Sequence, residues 1–566
     1  MEKCRKSSNA ISLLECNDKT LLDQESILEE IRRFYKNLYS SQAADDRLVD
    51  AALNKLEMRK LTTDEADYCD GILEPESLDN MIKLLKDDKS PGMDGLPGEF
   101  YKTFWKELRS LLFKCIVYSV ETGQLSETQR KGIVTLVLKK GKNAALLQNY
   151  RPITLLNTDY KIITKALSHK LKCILQDVAH PDQRGFLPNR HMADNIRLLC
   201  DLVDHSSHND ISGTVFELDI YKAFDSIECP FLMKVLKHLG FKSSFTKAIQ
   251  MIYTGSRSCV VNYNHISADF ALEKGLKQGD PISPYLFILC MEVLGCMIRQ
   301  NGKIRGIIVD EREYKLAMAA DDTLVFTDGD KRGIEELLKV VDEFGILSGC
   351  KTNISKSQAM NIGPSIDKLA VNQTLYNFKW SASIRILGVV ITNDLKGVFE
   401  LNYPAVLEKM KAVLQIWKMR SLSLLGKVCV IKSLVVSILT YYIASLPVHI
   451  PDSFIKAINS ALYAFLWGSK WERVKRKTLV GPKQLGGIEM IDIKSFIISQ
   501  KLKWLKLILD DNYVSNWKYV EKSVLANHNL HCLLEGHLNW NSPFMKKKII
   551  ILLYMIRCAT GIAMLV

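Results

Sequence analysis

The spacing of apolar positions along this chain changes period twice. Up to about residue 85 apolar residues recur every three to four positions, most clearly in SILEEIRRFYKNLYSS (26–41), which predicts a helical N-terminal extension over 1–85. Pro and Gly then break the pattern in KSPGMDGLPGEFYK (89–102), as a structured loop before another helix does. The centre alternates short β-rich runs (GIVTLVLKK, TVFELDI, SCVVNY, KLAMAA, DTLVF) with helical ones (CPFLMKVLKHLG, SPYLFILCMEVLGCMI, GIEELLKVVDEFGILSG). That mixture predicts an α+β middle domain. From about residue 400 the period is helical again. Basic residues there outnumber acidic ones, most densely in GSKWERVKRKTLVGPKQ (468–484).

Two places interrupt apolar runs with acid. LAMAADDTLVF (316–326) sets Asp321 and Asp322 side by side between two β-leaning runs. A hairpin turn accounts for such a pair by itself, and a metal site needs a further carboxylate. VFELDIYKAFDSIE (215–228) supplies a candidate, an apolar strand that ends on Asp219. Adjacent strands of one sheet would bring these carboxylates together, the grouping that two-metal phosphoryl transfer requires. Between them, GLKQGDPISPYLFILCMEVL (275–294) reads as a tight loop at Gly275, Gly279 and Pro281, then an N-cap and first-turn proline, Ser283 and Pro284, opening an apolar helix. A helix N-terminus beside a Gly-rich loop suits a phosphate or nucleotide; an ordinary loop with a core helix is the alternative.

Composition narrows the partners. With 566 residues and 47% hydrophobic content the chain has material for a large core, and its net charge of +13 suits a polyanion or a membrane surface. The fourteen cysteines include no Cys-x-x-Cys and no tight Cys/His cluster, which points to reduced thiols in an intracellular protein that is not secreted and has no structural zinc. No apolar stretch near the N-terminus is long enough for a signal peptide. The run IIILLYMIRCATGIAMLV (549–566) is nearly apolar, but Arg557 in its middle would be expensive in lipid, so a buried tail is favoured over a membrane anchor.

The order AFD, QGDPISP, ADD resembles the palm motifs of reverse transcriptases. The flanking stretches KSPGMDGLPGEFYK, LVLKKGKNAALLQNYRPITLLNTDYKIITKAL, DQRGFLPNRHMADNI, GILSGCKTNISKSQ, ILGVVI, RSLSLLGKVCVIKSL and LWGSKWERVKRKTLVGPKQLGGIEM are similar to non-LTR retrotransposon polymerases. The likeness is greatest to the second-open-reading-frame proteins of LINE type one elements. It covers roughly residues 30 to 510, in the family's order.

The resemblance implies a right hand, with fingers and palm over 86–395, a helical thumb over 396–450 and a basic helical segment over 451–566. It implies an RNA-directed DNA polymerase that takes an RNA template, a DNA primer and deoxynucleoside triphosphates, working in cytoplasm or nucleus as a ribonucleoprotein. Asp219 and Asp321 would be the principal ligands of two Mg²⁺ ions, or of Mn²⁺, with the Ile220 carbonyl and Asp322 assisting. Lys139 and Arg151 would contact the triphosphate, and Gln278 and Gly279 would line the nucleotide pocket. Lys356 would protonate pyrophosphate, and Leu387, Gly388 and Val389 would form the primer grip. Phe224, five positions after Asp219, stands where the family places an aromatic that excludes a 2′-hydroxyl; plain core packing is its other reading.

The chain also departs from the pattern. Ala319 occupies a position where the family has Phe or Tyr, and a buried ring reduced to a methyl removes contacts worth several kcal/mol. Met1 falls after the point at which the family's endonuclease ends, and no C-terminal Cys/His segment follows, so no target-nicking chemistry is expected within these residues. Two readings stay open: a working polymerase, and an impaired remnant that folds and binds nucleic acid without polymerising.

Overall fold

The computed structural model describes residues 10–16, 19–70, 75–364, 376–469 and 471–525. The apolar tail 549–566 lies outside them. Every strand and helix read from the centre of the sequence is present, so the protein is α+β. The N-terminal extension departs in one respect: two three-residue strands, Leu14–Cys16 and Lys19–Leu21, pair as a hairpin before the expected helix Gln24–Leu38. Ile27, Ile31 and Tyr35 form the buried stripe of that helix, and Asp23 caps it by accepting from the Ser26 amide.

Contacts gather the chain into two compact units, each assembled from three stretches. The first comprises Met1–Asn189, Asp219–Lys303 and Glu335–Asn353. Its sheet is built on Lys131–Leu138, which pairs antiparallel with Tyr150–Leu155 and parallel with Arg257–Asn262. The helix Gln24–Leu38 packs its buried stripe into the same core as Val134, Leu136 and Val260. The loop after Lys89 is ordered by close approach: a Cβ on Gly92 would meet Asn157 Oδ1 at 2.1 Å, and the Thr158 hydroxyl donates to the Leu96 carbonyl at 2.8 Å. The helix Ser283–Gln300 begins differently from expectation. Ser283 is its first helical residue and makes no cap bond; the side chain of Asp280, two positions before the cap residue Ile282, accepts from the Ile282 amide instead.

The second unit comprises Arg190–Leu218, Ile304–Ile334 and Ile354–Val566. Its five-stranded sheet runs in the order Leu316–Ala319, Asp322–Thr327, Gly213–Leu218, Gln358–Ile362, Lys379–Trp380. The central strand is apolar on both faces because both are covered, and the register sets Leu218 opposite Thr323 and Val215 opposite Phe326. A separate hairpin, Ser383–Ile386 with Val389–Thr392, turns on Leu387 (φ 48°) and Gly388 (φ 83°), two positive φ values in the manner of a type I′ turn. Helices Val398–Lys418, Asp452–Trp467 and Ile493–Leu509 share the core with these strands. The stretch Leu424–Ser445 is long and apolar enough to cross a membrane by length and composition, yet Ile431, Val435, Leu439 and Ile443 are fully buried in that core.

A buried charge ties the last described helix to the rest of this unit. Arg197, on Ala193–His208, is wholly inaccessible and pairs with Asp201 at 2.9 Å and with Glu521 on Asn516–Leu525. Its guanidinium lies near both rings of the edge-to-face pair Trp504 (5.7 Å) and Trp517 (5.6 Å). One turn earlier, Asp194 accepts from the Tyr513 hydroxyl (2.6 Å) and the Trp517 indole (3.2 Å). Replacing Arg197 by Met would strand two buried carboxylates. Arg197→Met should therefore lose roughly 3 to 5 kcal/mol in denaturant unfolding at pH 7. The loss should shrink as pH falls, because burial raises the Asp201 carboxyl and eases its protonation.

Candidate active site

In the first unit the AFD segment is folded back on the Gly275 loop. Lys222 adopts a left-handed conformation (φ 43°), the short helix Ala223–Ser226 follows, and the Leu276 and Gly275 amides donate to the carbonyls of Phe224 (2.6 Å) and Ile227 (2.7 Å). Gly275 has φ 91°, and a Cβ there would meet the Asp225 carbonyl oxygen at 2.9 Å, so a side chain is excluded. Gly279 has φ 111° and lies against the Thr154 carbonyl, while the Thr154 amide donates to the Gln278 carbonyl at 2.8 Å. The QGDP loop thus rests on the strand that carries Arg151.

Phe224 is half-buried. One face stacks on Phe287 (4.4 Å, 16° between planes) and its edge meets Phe186 (6.3 Å, 90°). It packs against the core and still keeps accessible surface. Gln278 is half-buried and Gly279 exposed, whereas Arg151 is an exposed strand residue opposite Val137.

The residue that the sequence reading passed over is Asp225. It is 1% exposed and accepts from the Tyr39 hydroxyl (2.8 Å) and from Gln278 Nε2 (3.0 Å). Burial pushes its carboxyl up to about 6, against the opposing pull of the Tyr39 bond, Lys222, the Gln278 bond and Lys139. Lys139, expected as a triphosphate contact, is half-buried and bears on both Asp225 and Lys222. Burial pulls the Lys222 ammonium down, and its Nζ sits over the rings of Phe34 (5.3 Å) and Tyr35 (5.4 Å). An acid directly after an aromatic in an apolar stretch was the available signal for Asp225. Nothing local marks Tyr39, 186 positions away.

Asp219 directly follows Leu218, the end of the central strand, and is half-buried. Its carbonyl accepts from the Asn353 amide (2.8 Å), and the Tyr221 amide donates to the Lys351 carbonyl (3.0 Å), around the bridge between Ile220 and Thr352. In that pattern the Ile220 carbonyl faces away from the ladder, the orientation a metal ligand requires.

In the second unit, Asp322 opens its strand opposite Ala319, and the two-residue turn between them holds Ala320 at φ 60° and the exposed Asp321. Burial pushes the Tyr441 phenol up and the nearby Asp322 carboxylate adds to it; the Tyr441 hydroxyl donates to the Leu387 carbonyl. Tyr441 therefore joins the Leu387–Gly388 turn to the neighbourhood of the aspartate pair. Val389 is buried behind that turn, and Lys356 lies on an exposed turn before Gln358–Ile362.

Among the described residues no three or more His, Cys, Asp and Glu side chains converge as a preformed metal cage. The predicted donors are all oxygen, the set Mg²⁺ takes, and Mg²⁺ sites commonly use one or two carboxylates completed by phosphate and water. The donor chemistry fits.

Residues 137–391 match the family model described as reverse transcriptase (RNA-dependent DNA polymerase). The chain is 29% identical over 528 residues to the transposon TX1 uncharacterized 149 kDa protein of Xenopus laevis, covering 91% of this chain and 39% of that protein. It is 28% identical over 273 residues to the retrovirus-related Pol polyprotein from type-2 retrotransposable element R2DM of Drosophila melanogaster, covering 48% of this chain and 25% of the relative. These relatives are proteins of transposable elements, and within this chain the likeness to reverse transcriptases covers residues 137–391. Similarity to the RNA-directed DNA polymerase from mobile element jockey of Drosophila funebris is 22% over 336 residues, 56% of this chain and 35% of that protein. The chain spans between a quarter and two fifths of the length of these relatives.

The Asp225 carboxyl gives the protein an acid-side signature. Because its folded pKa lies above the unfolded value of 3.8, the folded state holds the proton more tightly, and the stabilisation this brings is lost as pH rises through about 6. Unfolding free energies of the parent and Asp225→Asn, compared from pH 4 to 7, should diverge by roughly 3 kcal/mol across that window, with the parent losing ground as pH rises. A constant difference would remove the carboxyl as the titrating group.

Proposed function

We propose that this chain is an RNA-directed DNA polymerase of the LINE type, extending a primer 3′-hydroxyl with deoxynucleotides on an RNA template. The observation that carries the reading is the sheet of the second unit. There the strand leading into Asp219 and the hairpin bearing Asp321 and Asp322 are hydrogen-bonded neighbours, with Leu218 opposite Thr323. Asp219, Asp321, Asp322 and the Ile220 carbonyl would hold two Mg²⁺ ions, which when bound activate the attacking hydroxyl and steady the leaving pyrophosphate.

The remaining roles belong to the chain's own groups. Lys139 and Arg151 offer cations to the triphosphate. Gln278, held by Asp225, and Gly279, which has no side chain to intrude, shape the nucleotide pocket. Phe224, braced on Phe287, crowds the sugar and offers no acceptor for a 2′-hydroxyl. Lys356 Nζ would give its proton to a pyrophosphate oxygen. The turn Leu387–Gly388–Val389, tied by Tyr441, supports the primer end. Residues 86–395 are assigned to fingers and palm and 396–450 to the thumb.

One observation favours the impaired reading. Ala319 is buried and is the cross-strand partner of Asp322, so the two side chains share a face of the hairpin. A methyl there gives the carboxylate little of the lateral support an aromatic ring would supply, and a displacement of about 1 Å costs roughly a hundredfold in rate.

Primer extension on an RNA template with Mg²⁺ and deoxynucleotides separates the two. Extension by the parent that disappears in Asp321→Asn establishes the polymerase. Ala319→Phe should then be faster, by up to about a hundredfold if Asp322 is misplaced. Silence from all three, with the folded protein still binding template and primer, overturns the polymerase in favour of the binding remnant. In an active protein, Phe224→Ala should increase incorporation of ribonucleotides relative to deoxynucleotides, read from the ratio of kcat/KM values. An unchanged ratio would return Phe224 to core packing.

A further inference from the structure

The basic stretch singled out from the sequence has no part in the chemistry above, and its structure is two-sided. Its back is anchored. Leu479, on the short helix Arg476–Val480, is 4% exposed, and its carbonyl accepts from the Ile488 (3.1 Å) and Met490 (2.9 Å) amides. Gly487 approaches Gly481 so closely that a Cβ would lie 2.0 Å from its carbonyl oxygen. Arg476 is fixed by Glu472 and stacks on Tyr463 at 4.4 Å.

Its front is bare. Trp471 is 83% exposed, its amide and carbonyl both bonded to the Ser469 hydroxyl at 3.3 Å, and Leu485 is 80% exposed. Arg473, Lys475, Lys477 and Lys483 are exposed as well, and among the described residues no carboxylate pairs with them. An indole held in water by a fixed backbone leaves apolar surface for a partner to cover, about 150 to 250 Å² for a buried Trp, and the four solvated cations beside it suit an anionic one.

We propose that Trp471, with Arg473, Lys475, Lys477 and Lys483, is a docking surface for single-stranded nucleic acid. The cations match phosphates along a backbone, and the indole offers a face on which an unpaired base stacks whatever its identity. Duplex fits less well: its base faces are already stacked, and cations alone would suffice for its backbone. A lipid surface also fits less well. The one helical turn here carries its apolar Leu479 inward, so no amphipathic helix is presented outward. The proposal rests on the polymerase reading only for what would bring a strand to the protein.

The test is equilibrium binding of the full chain, without deoxynucleotides, to labelled oligo(U), oligo(dT) and a blunt duplex over a series of salt concentrations. Trp471→Ala should weaken both single strands about tenfold with the salt slope nearly unchanged and duplex binding unaffected. Trp471→Phe should restore most of the affinity. The triple variant Arg473→Gln, Lys475→Gln, Lys477→Gln should lower the slope of log K against log salt by about 2. Oligo(U) against oligo(dT) tells whether RNA or DNA is preferred. Because Trp471 lies in solvent, Trp471→Ala should keep the parent's unfolding midpoint, and Asp321→Asn should bind strands normally, which separates this proposal from the polymerase. Unchanged single-strand affinity in Trp471→Ala, an equal loss on duplex, or Trp471-dependent partition onto anionic vesicles without strand binding would each overturn it.

Discussion

The structure turns on the pairing of Gly213–Leu218 with Asp322–Thr327. Side chains on a strand alternate with a period of two, so slipping this pairing by one residue would move every side chain of one strand to the opposite face. Val215, Phe216, Val325 and Phe326, buried on both faces of a covered sheet, are the apolar set that the register keeps in place. With Leu218 held opposite Thr323, the register of the strand that carries Asp322 at its start is fixed. Asp322 is therefore positioned by hydrophobic burial some residues away, a sturdier arrangement than placing a carboxylate by its own contacts.

Around that core the accessory residues are held by contacts spanning long stretches of chain. Asp225 is fixed by Tyr39 from the N-terminal extension and in turn fixes Gln278. Tyr441 plays a similar part in the second unit, where it fastens a turn whose two residues both sit at positive φ. Leu387 in that conformation carries a steric cost that Gly388 does not, and the hydroxyl of Tyr441 helps hold the strained carbonyl in place. Neither tyrosine would carry out chemistry. Each limits how far a neighbouring group can stray.

Much of this was legible in the sequence where the physics is local. The strands and helices of the centre follow from period and β-branched content, and the pairing of the AFD and ADD strands from acids at the ends of two apolar runs. What was not legible depends on distance or on context. The hairpin Leu14–Cys16 with Lys19–Leu21 is too short to leave a periodic trace. Ser283 had the composition of a helix cap, but the bond to the Ile282 amide went to Asp280. The parallel pairing of Lys131–Leu138 with Arg257–Asn262 joins segments over a hundred residues apart, and pattern within either one says nothing of its partner. Asp225 had a local signal that went unread, while Tyr39 and Tyr441 had none.

The Arg197 cluster has a consequence for the order of synthesis. Its helix emerges early, and its partner Glu521 follows 324 residues later. At about 5 to 20 residues per second, tens of seconds separate the two. For that interval a helix built to lie against Trp504, Trp517 and Glu521 lacks them in turn, and meets first the strands Leu316–Ala319 and Gln358–Ile362 that it also packs against. A polypeptide that stops short of Glu521 keeps Asp201 beside Arg197 but lacks the second carboxylate with which the buried guanidinium pairs.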